Sequence, residues 1–206
     1  MDRRKFILAG AASAVGIGTT ASADWRCTQF NWIGVQRCEA GVSIPYFTSE
    51  QECKNWCWAA CVQAVFKYHR RNVSQKRIVN RVYSDTGCYP ANGPQIVSAI
   101  NGRWQDENGS SFHAYGEPLL DLQYGIQNPN AAAQVAMELA NGNPLINGAV
   151  GHATMITAMS YYRDTNGNGQ PNKITVRDPW PYSKNKRFLT AREAQGTFFI
   201  ARIRVS

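Results

Sequence analysis

Apolar positions change rhythm along the chain. From Asn55, residues Trp56, Ala59, Ala60, Val62, Val65 and Phe66 recur at three- and four-residue spacings, the pattern of a helix buried on much of its surface. This helix is expected over about Cys57 to His69. Ser74 suits the N-cap of a second helix carrying Ile78, Val79 and Val82. Pro94 fits the first turn of a third, Gln95 to Ile100. Asn130 to Ala140 reads as a fourth, amphipathic and ended by Asn141-Gly142. After Pro144 the period becomes that of strands. Leu145 to Val150 leads into Ala153 to Tyr162, the turn Asp164 to Gly169 feeds a returning strand Lys173 to Arg177, and Thr197 to Val205 closes the chain. Residues 24–45 show no period and read as an irregular, aromatic-rich segment. Helices first and antiparallel strands second predict an α+β fold.

The N-terminus follows another logic. Asp2-Arg3-Arg4-Lys5-Phe6-Ile7-Leu8, a modest apolar run from Ala9 to Ile17 and then Ala21-Ser22-Ala23 read as a basic region, a hydrophobic region and a small-residue cleavage site. Residues 1–23 are therefore expected to be an export signal, and the paired arginines resemble the bacterial twin-arginine type. Glycines interrupt the run, which is shorter than the roughly 20 apolar residues of a membrane span. The expected destination is the periplasm or the exterior of a bacterium. That leaves residues 24–45 as the irregular segment and 46–206 as the main domain.

The formal charge is +8, but the basic residues fall in short clusters such as Arg70-Arg71 and Lys184 to Arg187. These read as solvated surface, so neither nucleic-acid binding nor stable membrane association is expected. The chain has six cysteines, all beyond the signal, which suits an oxidising compartment. Cys27 and Cys38 are natural partners in a Gly-punctuated segment. Among Cys53, Cys61 and Cys88, at most two can pair if one further cysteine stays a thiol, and their spacing does not say which.

Three segments carry chemistry. Cys57, in Asn55-Trp56-Cys57-Trp58-Ala59-Ala60, opens the first helix, where unpaired N–H groups and the helix dipole favour a thiolate, the attacking form of cysteine. Gly151-His152-Ala153 stands at the entry to a strand, which holds a base rigidly while leaving one edge accessible. The glycine there allows close approach of another backbone or a substrate. Arg177-Asp178-Pro179-Trp180 ends the next strand of the same hairpin. Antiparallel pairing brings His152 and Asp178 to one end of the sheet, where Asp178 can fix the imidazole tautomer and stabilise its charged form.

Together these segments resemble the papain-like cysteine peptidases. Gln51 lies six residues before Cys57, Cys57-Trp58-Ala59 begins a helix, and His152 and Asp178-Pro179-Trp180 follow in the family's order. The closer similarity is to short bacterial papain-like proteases, including avirulence-type effectors, which carry similar Asn-Trp-Cys-Trp-Ala-Ala and Gly-His-Ala segments. The resemblance covers about residue 45 onward. It implies a helical lobe carrying the nucleophile and a C-terminal antiparallel half-barrel. It further implies Cys57 as nucleophile, His152 as base, Asp178 as orienting residue, Gln51 in the oxyanion hole and Trp180 covering the His–Asp bond, with Trp58 and Gly151 supporting. It also implies a Cys53–Cys88 disulfide and a buried free Cys61. Plant and lysosomal relatives carry Asn where this chain has Asp178, which preserves the orienting role. They also carry a long propeptide, for which residues 24–45 are too short.

The expectation is a monomeric endopeptidase acting on protein or peptide without a cofactor. Transglutaminase-like transfer or amide hydrolysis in cell-wall peptides could use the same residues, and an inactive binding scaffold is a further alternative. Asp164 to Gly169 looks like the start of a calcium loop, but Thr175 stands where a bidentate Glu is needed. Cys53, Cys57 and Cys61, with Cys88 or His69, lack the close pairs of zinc modules. His113 has no following Asp-Pro-Trp partner, and His69 lies about 18 Å along the nucleophile's own helix.

Overall fold

The computed structural model describes residues 23–42 and 49–206. Apart from Ala23, the expected export signal lies outside the described residues. Helices α1 (Cys57–Tyr68), α2 (Gln75–Tyr83), α3 (Gly93–Ile100) and α4 (Ala131–Ala140) occupy the four expected segments. Helix α1 is buried on nearly every side because its residues are apolar or small almost all round. Its one long buried polar side chain, Gln63, donates to the Val73 carbonyl at 3.0 Å and accepts from Gln75 at 3.1 Å. Gln75 in turn donates to the Glu50 carbonyl at 2.7 Å and accepts from Glu52 N at 3.0 Å. This polar chain ties the segment before α1 to α2. Helix α3 opens at Gly93, two residues earlier than expected. Asn92 accepts from Gln95 N while Gln95 accepts from Asn92 N, each at 3.0 Å, and this reciprocal cap fixes the start ahead of Pro94.

The strands are β1 (Ala23–Cys27), β2 (Val35–Val42), β3 (Gly102–Gln105), β4 (Ser111–Asp121), β5 (Leu145–Ala149), β6 (His152–Asp164), β7 (Gly169–Arg177), β8 (Lys186–Phe188) and β9 (Thr197–Val205). They form one antiparallel sheet in the order β1-β2-β6-β5-β9-β4-β3, with β7 on the other edge of β6 and β8 beyond it. A short helix α5 (Ala191–Gln195) precedes β9. Helices α1 to α3 cover one face of the sheet and α4 the other. Strand alternation sorts the core accordingly. Ile146, Met155, Phe199 and Ala201 pack with α1 to α3, whereas Leu145, Ile156 and Ile200 pack with α4. A register shift against β7 at Ile156/Ala158 changes the phase of β6, so Met159 and Tyr161 continue on the α4 face.

The α+β class and the papain-like arrangement hold, with corrections in detail. The described part of the segment expected to be irregular, residues 24–42, is not an irregular appendage: β1 and β2 form a hairpin, and β2 pairs with β6 from Val35↔Asp164 to Gly41↔Ala158. The inward positions of β2 are Gln36, Cys38 and Ala40, polar or small, so the period-2 pattern is faint in the sequence. Strand β4 buries Phe112, Ala114 and Gly116 alternately, again with small residues. A Cβ on Gly116 would meet the Ile100 side chain at 3.1 Å, so glycine is what lets α3 approach the sheet there. The Asp164 to Gly169 segment is the β6–β7 turn, in which Asp164 accepts from Asn168 N at 2.8 Å.

Cys27 is bonded to Cys38, and Cys53 to Cys88. Two disulfides point to a non-cytoplasmic protein. No helix among the described residues is long and apolar enough to cross a membrane. The Cys53–Cys88 bond closes a loop of 35 residues. Replacing both cysteines by alanine should lower the unfolding free energy by about 3–4 kcal/mol through the freed denatured chain, measured by urea denaturation of oxidised protein. A loss of less than about 1 kcal/mol would show that the bridge constrains little.

Candidate active site

The start of α1 meets the start of β6. Cys57 is the first residue of its helix, and its Sγ accepts a hydrogen bond from Ala153 N at 3.4 Å. The segment carrying it is fastened on one side by three side-chain donors. Asn55 Nδ2 reaches the Cys88 carbonyl at 2.9 Å, Trp56 Nε1 the Gly87 carbonyl at 2.9 Å and Trp58 Nε1 the Tyr89 carbonyl at 3.1 Å. With the Cys53–Cys88 bridge they strap residues 87–89 to the segment carrying Cys57. The tryptophans beside Cys57 thus have a polar task besides core packing, which their hydrophobicity does not reveal.

His152 follows a two-residue turn, Val150-Gly151, in which both residues have positive φ, +51° and +76°. That is the geometry of a tight hairpin. A Cβ at Gly151 would meet no atom within 4 Å, so the glycine is explained by its backbone angle rather than by close approach of another backbone. Val150, a β-branched residue in the left-handed region, carries strain two residues before His152.

His152 Nε2 lies 2.8 Å from Asp178 Oδ1. A carboxylate only accepts, so Nε2 carries the proton and Nδ1 is left for Cys57, whose side chain bonds the same ring. Burial alone would lower the His152 pKa, but hydrogen bonds to Asp178 and Cys57 and the charges of both outweigh it and push it up to about 9. Asp178 is only 3% exposed. Burial would raise its pKa, yet hydrogen bonds from His152, Trp180 N and Arg187 hold the carboxyl well below the usual range. The Trp180 ring stands edge-on to His152 at 6.5 Å between centroids.

Beside Cys57 and His152 opens a cleft of about 320 Å³, walled by Trp58, Ala91, Gly93, Ile96, Phe198 and Phe199, with Gly151 and Trp180 on its other flank. Gln51 stands apart from it. Its Nε2 donates to the carbonyls of Cys53 at 3.0 Å and Lys54 at 2.8 Å, which uses both amide hydrogens. In this conformation Gln51 fixes the turn before Cys57 and offers no donor to the cleft. Cys61, one turn beyond Cys57, is buried and unbridged, and burial pushes its thiol pKa up. Zinc ligation through Cys53 and Cys88 is closed off by their disulfide. His113 is on an exposed position of β4, and burial pushes the His69 pKa down to about 4.

One contributor escapes sequence reasoning. Arg187, expected to be solvated with its basic neighbours, instead points inward. Its Nε donates to Asp178 Oδ2 at 2.8 Å and its two terminal nitrogens grip Glu193 at 2.8 and 2.6 Å. Only its placement on β8, paired with β7, could have signalled this.

The Peptidase_C39 like family matches residues 42–198. The chain belongs to the Peptidase_C39 like family. The match takes in Cys57, His152 and Asp178 and supports cysteine peptidase activity at the level of the family. The β1–β2 hairpin lies almost wholly ahead of the matched region. No curated protein matches the chain.

The raised pKa of His152 sets a pH dependence. Its ordinary value is 6.5 and its folded value about 9, so the stabilisation it contributes is full below pH 6.5 and fades as pH rises through about 9. Histidine NMR should show this ring titrating near pH 9, and Asp178→Asn should bring it down by about one unit or more. A wild-type titration near 6.5 would contradict the geometry.

Proposed function

We propose that the chain is an exported cysteine endopeptidase in which Cys57 attacks, His152 moves the proton and Asp178 orients the imidazole. The observation that carries this reading is the line from Cys57 through His152 to Asp178, with the apolar cleft opening on the sulfur. The Cys57 thiolate adds to a peptide carbonyl, forming a C–S bond. His152 Nδ1–H then protonates the amine as the C–N bond breaks. Water, losing its proton to His152, attacks the thioester, and release of the acid restores the Cys57–His152 pair. The developing oxyanion has the Cys57 N–H at the open first turn of α1. Gln51 joins only if substrate binding turns its amide away from the Cys53 and Lys54 carbonyls.

Export is supported by Arg3-Arg4 and the Ala21-Ser22-Ala23 site in the sequence and by the two disulfides. The likeness to avirulence-type bacterial proteases rests on Asn55-Trp56-Cys57-Trp58-Ala59-Ala60 and Gly151-His152-Ala153. We take the mature protein to be a monomer acting on protein or peptide.

Incubation of the mature protein with a peptide library, with products mapped by mass spectrometry, should show internal cleavage. Cys57→Ala should abolish it, with the thermal midpoint little changed, and a thiol-directed epoxide should label Cys57 and leave Cys61 free. Undiminished cleavage by Cys57→Ala would refute the assignment. Action on cell-wall peptide fragments alone would move the reading to an amidase.

A further inference from the structure

We propose that Arg187 and Glu193 are positioning residues for His152, acting through Asp178 as a chain of alternating charges that sets how firmly the imidazole holds its proton. The inference rests on the peptidase reading above. The two oxygens of Asp178 are divided: Oδ1 accepts from His152 Nε2 at 2.8 Å and Trp180 N at 2.9 Å, and Oδ2 accepts from Arg187 Nε at 2.8 Å. Holding Oδ2 fixes the rotation of the carboxylate plane and so keeps Oδ1 on the imidazole. The end of the guanidinium grips Glu193 in a bidentate fork, Nη1 to Oε2 at 2.8 Å and Nη2 to Oε1 at 2.6 Å, and Nη2 also lies 2.8 Å from Asp178 Oδ2, so one nitrogen bridges the two carboxylates.

Charge explains why Glu193 is needed. An arginine bound to Asp178 alone would draw the carboxylate's charge away from His152 and disfavour the imidazolium. Glu193 offsets that pull, so the order becomes Glu193 negative, Arg187 positive, Asp178 negative, His152 positive, facing the Cys57 thiolate. The carboxylate between them is almost wholly removed from water, where such interactions are screened least. Glu193 is itself immobilised, since it forms the cap of α5 with Thr190: Thr190 N reaches Glu193 Oε2 at 2.8 Å and Glu193 N reaches Thr190 Oγ1 at 3.2 Å. Helix α5 leads directly into β9, which supplies Phe198 and Phe199 to the cleft. One set of bonds therefore links the apolar wall to the proton-transfer residue.

A purely structural staple between β8 and α5 would use the same contacts, so the test must read charge. Glu193→Gln keeps an acceptor for Arg187 and a residue that suits the cap, and removes only the charge. Loss of that negative charge disfavours imidazolium. The His152 titration, followed by histidine NMR in the oxidised full-length protein, should therefore fall by about half a pH unit or more. The basic limb of kcat/KM against pH should fall with it, while the thermal midpoint moves little. Arg187→Met, which frees Oδ2, should lower kcat about tenfold or more with KM within about twofold. An unmoved His152 titration in Glu193→Gln would overturn the proposal, as would wild-type kcat in Arg187→Met. If Arg187→Met does not fold, Glu193→Gln decides alone. The NMR readout needs no substrate. A shifted titration in a protein that cleaves no peptide would sustain the relay and sink the peptidase reading. Peptide cleavage with an unshifted titration would do the reverse.

Discussion

The contact between the first turn of α1 and the first residues of β6 is the constraint on which the site depends. Neither layer holds the chemistry alone: the helix brings Cys57, the sheet brings His152, and the 3.4 Å bond from Ala153 N to the Cys57 sulfur marks where they meet. Close approach is possible because Ala59 and Ala60 on the helix are small and fully buried, and Met155 on β6 is fully buried as well. In the proposed mechanism, an ångström of displacement here would cost more activity than the loss of many surface contacts, because proton transfer and attack both need near-ideal distances. Fold stability and reactivity are thus joined at one seam.

Two fastening systems hold that seam from opposite sides. On the helix side, the Cys53–Cys88 bridge and the side-chain bonds of Asn55, Trp56 and Trp58 to carbonyls 87–89 lock the Cys57 segment against the cleft wall. On the sheet side, Asp178 is bonded by His152, Trp180 N and Arg187 and stays ionised despite burial. The asymmetry fits the chemistry. A nucleophile needs a fixed position and an open approach, while a base needs a fixed tautomer and a charged partner.

Much of this was legible in the sequence where side chains are large and periodic. Helix α1 announced itself through Trp56, Val62, Val65 and Phe66, and the β6–β7 hairpin through its alternation and its Asn-Gly turn. That hairpin alone puts His152 and Asp178 at one end of the sheet. The strands that were hard to read share one physical cause. Strand β2 buries Gln36, Cys38 and Ala40, and β4 buries Ala114 and Gly116, positions whose inward direction is set by packing and not by hydrophobicity. Arg187 was illegible because a basic cluster gives no sign of which member turns inward. Gln51 shows the converse. Its spacing from Cys57 is informative, but its amide is spent on two local carbonyls, a detail only geometry supplies.

The central claim is that Cys57 is a covalent nucleophile aligned by the meeting of α1 and β6. Acid-quenched turnover of an activated peptide ester, followed by proteolytic mapping and mass spectrometry, tests it most directly. The account predicts an acyl adduct on the peptide containing Cys57, borne by that residue and absent from Cys61, which accumulates before product is released. Steady turnover with no adduct, or an adduct on another residue, would contradict it.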